Sequence, residues 1–149
     1  MPEVLKLSTK NAGDAGEYYV AYMLSRLGIS AALTTSGSNA VDIIATIDGS
    51  KSISLQVKGS WARSQPRQWM VGKHKPVASP DYFYVFCNMS EDIRVNKIPE
   101  VFIVPSQIVA ESSTWHHRAP LFKIAKGEDK LYADRWDFIS QALEANTSK

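Results

Sequence analysis

The segment that most constrains the fold of this chain spans residues 41–58 and reads VDIIATIDGSKSISLQVK. Two stretches rich in β-branched residues flank the pair Asp48-Gly49, a pattern typical of a β-hairpin with a short turn. Side chains two positions apart on a strand point to the same face, so Gln56 and Lys58 project together, away from their apolar neighbours. The segment therefore predicts two adjacent strands that carry a polar pair at their open end.

The length of the turn decides whether Asp42, at the start of the first strand, faces Gln56. A two-residue Asp48-Gly49 turn places Asp42 opposite Leu55, and hence on the other face from Gln56. A three-residue loop through Ser50, with a residue in the left-handed region, sets Asp42 directly across from Gln56 with Cβ atoms ~5 Å apart. That spacing suits two oxygen ligands of one divalent cation, so a metal site at the hairpin requires the three-residue loop or a bulge.

The composition is that of a soluble globular domain. Apolar residues make up 44% of the chain and charged residues 21%, which argues against a fibrous or disordered protein. A length of 149 residues predicts one domain, residues 1–149, with a core of its own. The single cysteine, Cys87, lies in an apolar run and is expected to be a small core residue rather than part of a disulfide or a metal site. The sequence has neither a secretory pattern nor a long apolar run, which predicts a cytoplasmic protein with no membrane contact.

Residues 11–27 predict a helix that ends at Gly28. Its apolar stripe consists of Gly13, Val20, Ala21, Leu24 and Leu27. The stripe also contains Glu17, and burying an unpaired charge is costly, so Glu17 requires a partner, a hydrogen bond or a bound cation. The alternative is that Glu17 lies at the edge of the stripe and reaches solvent or an arginine.

The remaining pattern predicts a layered α/β fold. Apolar residues occur on both faces of the first hairpin strand, which is typical of a sheet covered on both sides. Further strands are predicted at residues 31–35, 68–71, 81–87, 101–104 and 121–125. Ser106 is predicted to cap a helix that runs to Trp115, and a capping box at residues 134–137 to open a last helix. The apolar face of that last helix comprises Trp136, Ile139 and Leu143.

Two adjacent histidines, His116 and His117, follow the helix predicted after Ser106. Neighbouring residues on a helix point in different directions, so a shared metal ion is not expected. We predict a polar helix end at this point and no ligand role for either histidine.

Residues 49–80 form a basic segment without a single Asp or Glu. Its basic residues are Lys51, Lys58, Arg63, Arg67, Lys73 and Lys75, with Trp61 and Trp69 between them. The net charge of +2 is too small to indicate a nucleic-acid partner by itself, and a basic run is often only solvated surface. Because this segment begins within the hairpin, it favours contact with a phosphate backbone, with a tryptophan available for base stacking.

Glu17 in the first helix, Asp42 in one strand and the triplet Gln56-Val57-Lys58 in the next resemble the signature of the PD-(D/E)XK nuclease superfamily. This superfamily includes restriction-endonuclease-like and Holliday-junction-resolvase-like enzymes. The resemblance covers about residues 13–106. It implies an α/β restriction-endonuclease-like layered domain with a central mixed β-sheet flanked by helices.

The resemblance also implies a Mg²⁺ site, with Mn²⁺ as a substitute. Asp42, Gln56 and the main-chain carbonyl of Val57 would bind the cation, and Glu17 would hold a second one directly or through water. Lys58 would orient or help deprotonate the attacking water and offset the charge on the phosphate. These roles agree with the chemistry, because phosphodiester hydrolysis needs a nucleophile at neutral pH and a cation that stabilises the transition state.

The chain departs from the superfamily pattern at two positions. Ala40-Val41 precede Asp42, where a proline is common, and Gln56 replaces the commoner acidic residue. An amide oxygen binds a cation without adding charge, so the affinity would depend more on Asp42 and Glu17.

Three hypotheses follow for the function. The first is a Mg²⁺-dependent DNA endonuclease, with RNA as an alternative substrate and a homodimer if two strands are cut. The second is a catalytically inactive nucleic-acid-binding module with the same fold. The third is a structural or partner-binding domain, in which Asp42 only accepts turn hydrogen bonds while Gln56 and Lys58 lie on an exposed strand face.

Overall fold

A mixed five-stranded β-sheet forms the centre of the fold. The computed structural model describes residues 7–35, 41–61, 67–72, 76, 78–90, 98–116 and 119–144. The helices are α1 (Thr9–Arg26), α2 (Ser106–Ser112), α3 (Asp129–Tyr132) and α4 (Trp136–Glu144). The strands are β1 (Ser30–Leu33), β2 (Ile43–Thr46), β3 (Ser52–Trp61), β4 (Gln68–Met70), β5 (Tyr82–Met89), β6 (Glu100–Pro105), β7 (Thr114–His116) and β8 (Ala119–Lys123).

The central sheet has the strand order β1-β2-β3-β5-β6. Strands β3 and β5 are parallel, and every other neighbouring pair in the sheet is antiparallel. A second, small antiparallel sheet has the strand order β4-β8-β7. The predicted α/β layered fold with a mixed central sheet is therefore confirmed.

The two faces of the central sheet belong to two apolar clusters. On one face, alternate residues of β3 and β5 pack with α1 and α4; this cluster includes Val20, Leu24, Leu55, Val57, Val85, Trp136 and Ile139. On the other face, the remaining residues of β5 and β6 pack with α2 and the small sheet; this cluster includes Tyr84, Phe86, Phe102, Val104, Val109, Phe122 and Trp69. The expected burial of Cys87 and of Trp136, Ile139 and Leu143 is confirmed.

The second apolar cluster covers only part of its face of the central sheet. Ile43 and Ala45 of β2 are buried, whereas Ile44 between them is 43% exposed. The prediction that both faces of the first hairpin strand are covered is therefore wrong at Ile44. Strands β5 and β6, at the other side of the sheet, are buried on both faces.

Helix α1 crosses the sheet close to β3. Ser8 accepts a hydrogen bond from the N–H of Asn11, whose side chain accepts one from the N–H of Ser8, which fixes the start of the helix. The buried residues of α1 are Ala12, Gly16, Val20 and Leu24. This stripe is rotated from the predicted one, since Leu27 is exposed, and it leaves Glu17 half-buried beside it.

Two glycines allow this close packing. A Cβ atom at Gly16 would lie 3.3 Å from Cγ1 of Val57, and a Cβ atom at Gly59 would collide with the carbonyl of Ala12. Because Gly59 directly follows Lys58, the contact brings the first half of α1 over the end of the hairpin.

The helix predicted from Ser106 to Trp115 is wrong in its second half. It ends at Ser112, and residues Thr114–His116 form β7, so His116 lies in a strand and not at a helix end. Ser106 does not cap the helix either: its hydroxyl donates to the carbonyl of Ser79 at 2.7 Å and accepts from the N–H of Ser79 at 2.9 Å. His117 and the turn predicted at residues 36–39 lie outside the described residues.

Within the described part of the chain, no helix has the length and apolar character needed to cross a membrane.

Candidate active site

The hairpin has the register that places Asp42 across from Gln56. Strands β2 and β3 pair Thr46 with Ser52 and Ile43 with Leu55, which is the last pair of the ladder, and one further step in this register would set Asp42 across from Gln56. Gly49 has a φ of 86°, in the left-handed region that the odd-length loop requires. Of the two alternatives, the pairs of β2 with β3 are those of the three-residue loop and not those of the two-residue turn.

Side chains inside the turn hold this register. The Thr46 hydroxyl donates to the carbonyl of Lys51 at 2.6 Å and accepts from the N–H of Gly49 at 2.9 Å. The Asp48 carboxylate accepts from the N–H and the hydroxyl of Ser50 at 2.9 and 2.6 Å. A short polar turn thus fixes which residue faces Asp42 at the other end of the hairpin.

Asp42 lies where the hairpin ladder ends. Its main-chain N–H donates to the carbonyl of Leu55 at 2.8 Å, and its carbonyl accepts from the N–H of Thr34 at 2.9 Å. Its side-chain Oδ2 accepts a hydrogen bond from the N–H of Val57 at 2.8 Å. The carboxylate is therefore held in place against β3 rather than free to rotate.

Glu17 reaches the same point from α1. Burial, the charge of Asp42 and a hydrogen bond between the two carboxyl groups raise the pKa of Glu17 to about 7, while Lys10 opposes the shift. The partner that the buried-charge argument requires is thus a second carboxylate. A cation bound beside Asp42 would offset the negative charge that helps to raise the pKa of Glu17.

Gln56 is held by a residue that the sequence reasoning missed. The hydroxyl of Tyr82, on the neighbouring strand β5, donates to Oε1 of Gln56 at 2.8 Å. Burial raises the pKa of Tyr82, and contact with Tyr84 and the charge of Asp42 raise it further. The alternation Tyr-Phe-Tyr at residues 82–84 marks two phenols on one strand face, but only the pairing of β3 with β5 shows that this is the face of Gln56.

Lys58 lies on the same face of β3 as Gln56. Its side chain is half-buried, and burial lowers the pKa of Lys58, whereas the charge of Asp42 acts in the opposite direction. Asp42 therefore influences the titration of both Lys58 and Glu17, which reach it from a strand and a helix.

Comparison with solved structures identifies the fold. A bacterial homing endonuclease, I-Ssp6803I, superposes with a TM-score of 0.66 over 95% of this chain and 98% of that chain, at 15% sequence identity. This chain has the restriction-endonuclease-like fold. A Holliday junction resolvase from Archaeoglobus fulgidus matches with a TM-score of 0.49 and 11% identity over 86% of this chain and 95% of that one. No protein-family model and no curated protein sequence matches the chain.

In this restriction-endonuclease-like domain, the predicted ligands form an oxygen donor set. Two carboxylates come from Glu17 and Asp42, one amide oxygen from Gln56 and one main-chain carbonyl from Val57. Val57 uses its N–H for Asp42 and packs its side chain against Gly16, so only its carbonyl is a candidate ligand. Oxygen donors suit a hard cation such as Mg²⁺, which retains several waters and needs few protein ligands.

The chemistry of this set fits a divalent cation. Of the four predicted ligands, Glu17 and Asp42 are the two that carry a negative charge, and no third His, Cys, Asp or Glu among the described residues joins them. The raised pKa of Glu17 is the structural sign of that fit, since a cation between the two carboxylates would relieve their repulsion.

The basic segment is less available for contact with nucleic acid than its sequence indicates. Trp69 is only 4% exposed, with its ring 4.9 Å from that of Phe86, so the prediction that Trp69 stacks on a nucleobase is wrong. The reason is that β4 joins the small sheet, which packs on the central one. Arg63, Lys73 and Lys75 lie outside the described residues.

The other described residues of the segment have partners within the chain. Arg67 donates two hydrogen bonds to Glu100, at 3.3 and 2.8 Å, and lies over the ring of Phe102. Lys51 is 3.7 Å from the carboxylate of Asp81. Half-buried Trp61 donates from its indole N–H to the carbonyl of Ser8 at 3.1 Å. A nucleic-acid role for Lys51, Trp61 and Arg67 stays a prediction.

Proposed function

We propose that this protein is a Mg²⁺-dependent nuclease that hydrolyses DNA phosphodiester bonds internally, as an endonuclease. The observation that carries the proposal is the convergence on Asp42 of Glu17 from α1, of the Val57 N–H and of Lys58 from β3. The fold adds support, because the homing endonuclease with which the chain superposes is a nuclease.

In the proposed mechanism, Glu17, Asp42, Gln56 and the carbonyl of Val57 hold the cation. When bound, Mg²⁺ supplies positive charge for the phosphate oxygens and acidifies water. The Asp42 carboxylate needs no reorganisation to act as a ligand, because the Val57 N–H already fixes it. Mn²⁺ is expected to replace Mg²⁺, since both accept oxygen ligands.

Lys58 acts on the attacking water and the phosphate. The oxygen of water attacks phosphorus, the bond from phosphorus to the leaving sugar oxygen breaks, and that oxygen takes a proton from solvent. The proton lost by the attacking water passes through Lys58, whose lowered pKa makes its amine a better proton carrier than an exposed lysine. The protonated ammonium also offsets the charge of the phosphate.

DNA is the proposed partner, with RNA as an alternative substrate. The basic residues Lys51, Arg63, Arg67, Lys73 and Lys75 and the indole of Trp61 are the proposed contacts to the backbone and bases. Cutting both strands of a duplex or a junction would require two such sites, and hence a homodimer. A cytoplasmic location remains part of the proposal.

The second candidate is an inactive nucleic-acid-binding module. The observation that favours it is that Gln56 is neutral and that its oxygen already accepts a hydrogen bond from Tyr82. This module would bind DNA in a salt-dependent way without cutting it.

A cleavage assay separates the two. Supercoiled, linear, branched and single-stranded DNA and RNA are each incubated with the full chain in Mg²⁺, Mn²⁺ or EDTA. We expect divalent-dependent cutting that Asp42→Asn and Lys58→Ala abolish. Matched controls are Asp137→Asn and Lys130→Ala, which change the same residue types on α4 and α3, far from the site in sequence. Equal cutting by all five proteins would contradict the proposal, and salt-sensitive binding without cutting would favour the inactive module.

A further inference from the structure

Tyr82 is hydrogen-bonded to Gln56, the one proposed ligand side chain that carries no charge. It begins β5, where it pairs with Ser54, while Gln56 pairs with Tyr84. The phenol of Tyr82 therefore reaches diagonally along the sheet to donate to Oε1 of Gln56 at 2.8 Å. Its own ring packs edge-on against that of Tyr84, with centroids 5.4 Å apart. A half-buried ring held by a neighbouring ring gives the hydroxyl a fixed position.

A glutamine ligand has a requirement that a glutamate ligand lacks. The two ends of a carboxamide have nearly the same shape, but only the oxygen binds a cation, and the NH₂ end repels it. A carboxylate has two equivalent oxygens and binds in either orientation. A glutamine in a metal site therefore needs a neighbour that fixes which end of the amide faces the cation.

The Tyr82 hydroxyl meets that requirement. A phenol is a neutral hydrogen-bond donor at physiological pH, and the bond to Oε1 uses one of the two lone pairs of that oxygen. The second lone pair remains for a cation.

We propose that Tyr82 is a positioning residue of the candidate metal centre, whose hydroxyl holds the Gln56 carboxamide with its oxygen directed to the cation. The inference rests on the proposed function, since it requires a cation beside Gln56. Tyr82 does not touch the substrate in this proposal and acts only through Gln56.

The first test measures Mn²⁺ binding to the full chain by electron paramagnetic resonance and calorimetry. Tyr82→Phe removes the hydroxyl and keeps the ring against Tyr84. We expect about tenfold weaker Mn²⁺ binding, as is usual when a partner of a metal ligand is removed. The matched control is Tyr132→Phe, which removes a half-buried phenol from the second apolar cluster and should leave the Mn²⁺ affinity unchanged. Circular dichroism establishes that each variant is folded.

The decisive test repeats Tyr82→Phe in a Gln56→Glu background. Because a carboxylate needs no orientation, the loss of the hydroxyl should change Mn²⁺ affinity less than about twofold there. An equal loss in both backgrounds would assign Tyr82 a merely structural role and overturn the proposal. Equal affinity of the native chain and Tyr82→Phe would overturn it as well.

A second measurement uses the native chain and does not depend on the variants being folded. Mg²⁺ is added to ¹³C-labelled protein, and the side-chain carbonyl resonance of Gln56 is followed. We expect it to shift on addition of Mg²⁺, and an unchanged resonance in a chain that binds Mg²⁺ would overturn the assignment.

Failure of the two proposals can be told apart. A native chain that binds neither Mn²⁺ nor Mg²⁺ and cuts no nucleic acid would overturn the proposed function and the Tyr82 role together. A native chain that binds the cation as tightly as Tyr82→Phe would overturn the Tyr82 role alone.

Discussion

The Asp42 carboxylate accepts a hydrogen bond at 2.8 Å from the main-chain N–H of Val57, across the open end of the hairpin. This contact joins the fold to the candidate chemistry. It supports the strand on which Gln56 and Lys58 lie, and it fixes the carboxylate that Glu17 faces. Structural and catalytic roles for Asp42 are therefore compatible, and suitable substitutions can separate them.

Asp42→Asn and Asp42→Ala are expected to differ in stability but not in activity. Asparagine keeps an oxygen for the N–H of Val57, whereas alanine leaves that partly buried donor without its acceptor at a cost of about 1–3 kcal/mol. Both variants lose a charged ligand, so cleavage should fall by at least ~100-fold in each. Thermal melting and initial cleavage rates test this, and a fully active Asp42→Asn would contradict the catalytic role.

The stability of the metal-free chain should fall as the pH rises through the range in which Glu17 ionises. The pKa of Glu17 is about 7 in the fold, above its ordinary value of 4.5, so the unfolded chain loses this proton first. Between pH 4.5 and 7 the folded state holds more protons, and stability therefore decreases with increasing pH and stays lowered above 7.

The substitution Glu17→Gln removes the loss of stability that ionisation of Glu17 causes above pH 7. After allowance for solvent screening of a half-exposed carboxyl, we expect a gain of about 1 kcal/mol at pH 8, or ~2–4 °C in melting temperature, and little gain at pH 4.5. Melting curves in EDTA at the two pH values measure the difference. Addition of Mg²⁺ at pH 8 should raise the melting temperature of the native chain more than it raises that of the Glu17→Gln variant. An equal rise in both proteins would count against Glu17 as a ligand.

Gln56→Glu should bind Mg²⁺ about tenfold more tightly, because it adds a negative charge to the ligand set. If cleavage by the native chain is limited by cation affinity, the variant's cleavage at low Mg²⁺ should increase by a similar factor, and the difference should vanish at saturating Mg²⁺. Cleavage rates over a Mg²⁺ titration provide the measurement. A native chain that never cuts while Gln56→Glu does would favour the inactive module instead.

The close contact between α1 and β3 can be tested with two glycine substitutions of opposite expected effect. Gly59→Ala places a methyl group against the carbonyl of Ala12 and should destabilise the fold by about 1–3 kcal/mol or more. It should also reduce cleavage, since α1 carries Glu17. Gly13 lies on the same helix, and a Cβ atom added there meets no atom within 4 Å. Gly13→Ala should therefore stabilise the fold by about 0.5–1 kcal/mol. Denaturant unfolding checks both, and a neutral Gly59→Ala would contradict the described packing.

Trp69 should matter for stability and not for nucleic-acid binding. Its ring lies between Phe86 and Phe102 in the second apolar cluster, so Trp69→Ala should cost about 3–5 kcal/mol. Trp69→Phe retains an aromatic ring in the core and should bind DNA with native affinity. A fluorescence anisotropy titration with labelled DNA tests this, and a large loss of affinity in a folded Trp69→Phe would contradict the assignment to the core.

Local sequence rules account for much of the fold. The hairpin around Gly49, the apolar strand β5 and the buried face of α4 were all predictable, because each depends on the turn chemistry or the periodicity of a short segment. The pairing of Asp42 with Gln56 was predictable to within two alternatives. The turn determined the outcome, since the hydrogen bonds of Thr46 and Asp48 select the odd-length loop.

The sequence did not predict what depends on contacts between distant segments. The sequence places Trp69 in a basic segment and so predicts a surface aromatic residue, yet the small sheet buries it. Strand β7 forms from residues that were predicted to end a helix. In both cases strand pairing with β8 decides the structure, and strand pairing is not encoded by local periodicity.

The sequence by itself determined the candidate ligands, their order along the chain and a choice between two hairpin registers. Only the tertiary structure decided that Glu17 faces Asp42 and that Tyr82 donates a hydrogen bond to Gln56. The first contact requires the packing of α1 over Gly59, and the second requires the parallel register of β3 and β5, whose paired residues lie 28 positions apart in the sequence. Such contacts depend on the three-dimensional register of whole elements, which no short stretch of sequence specifies.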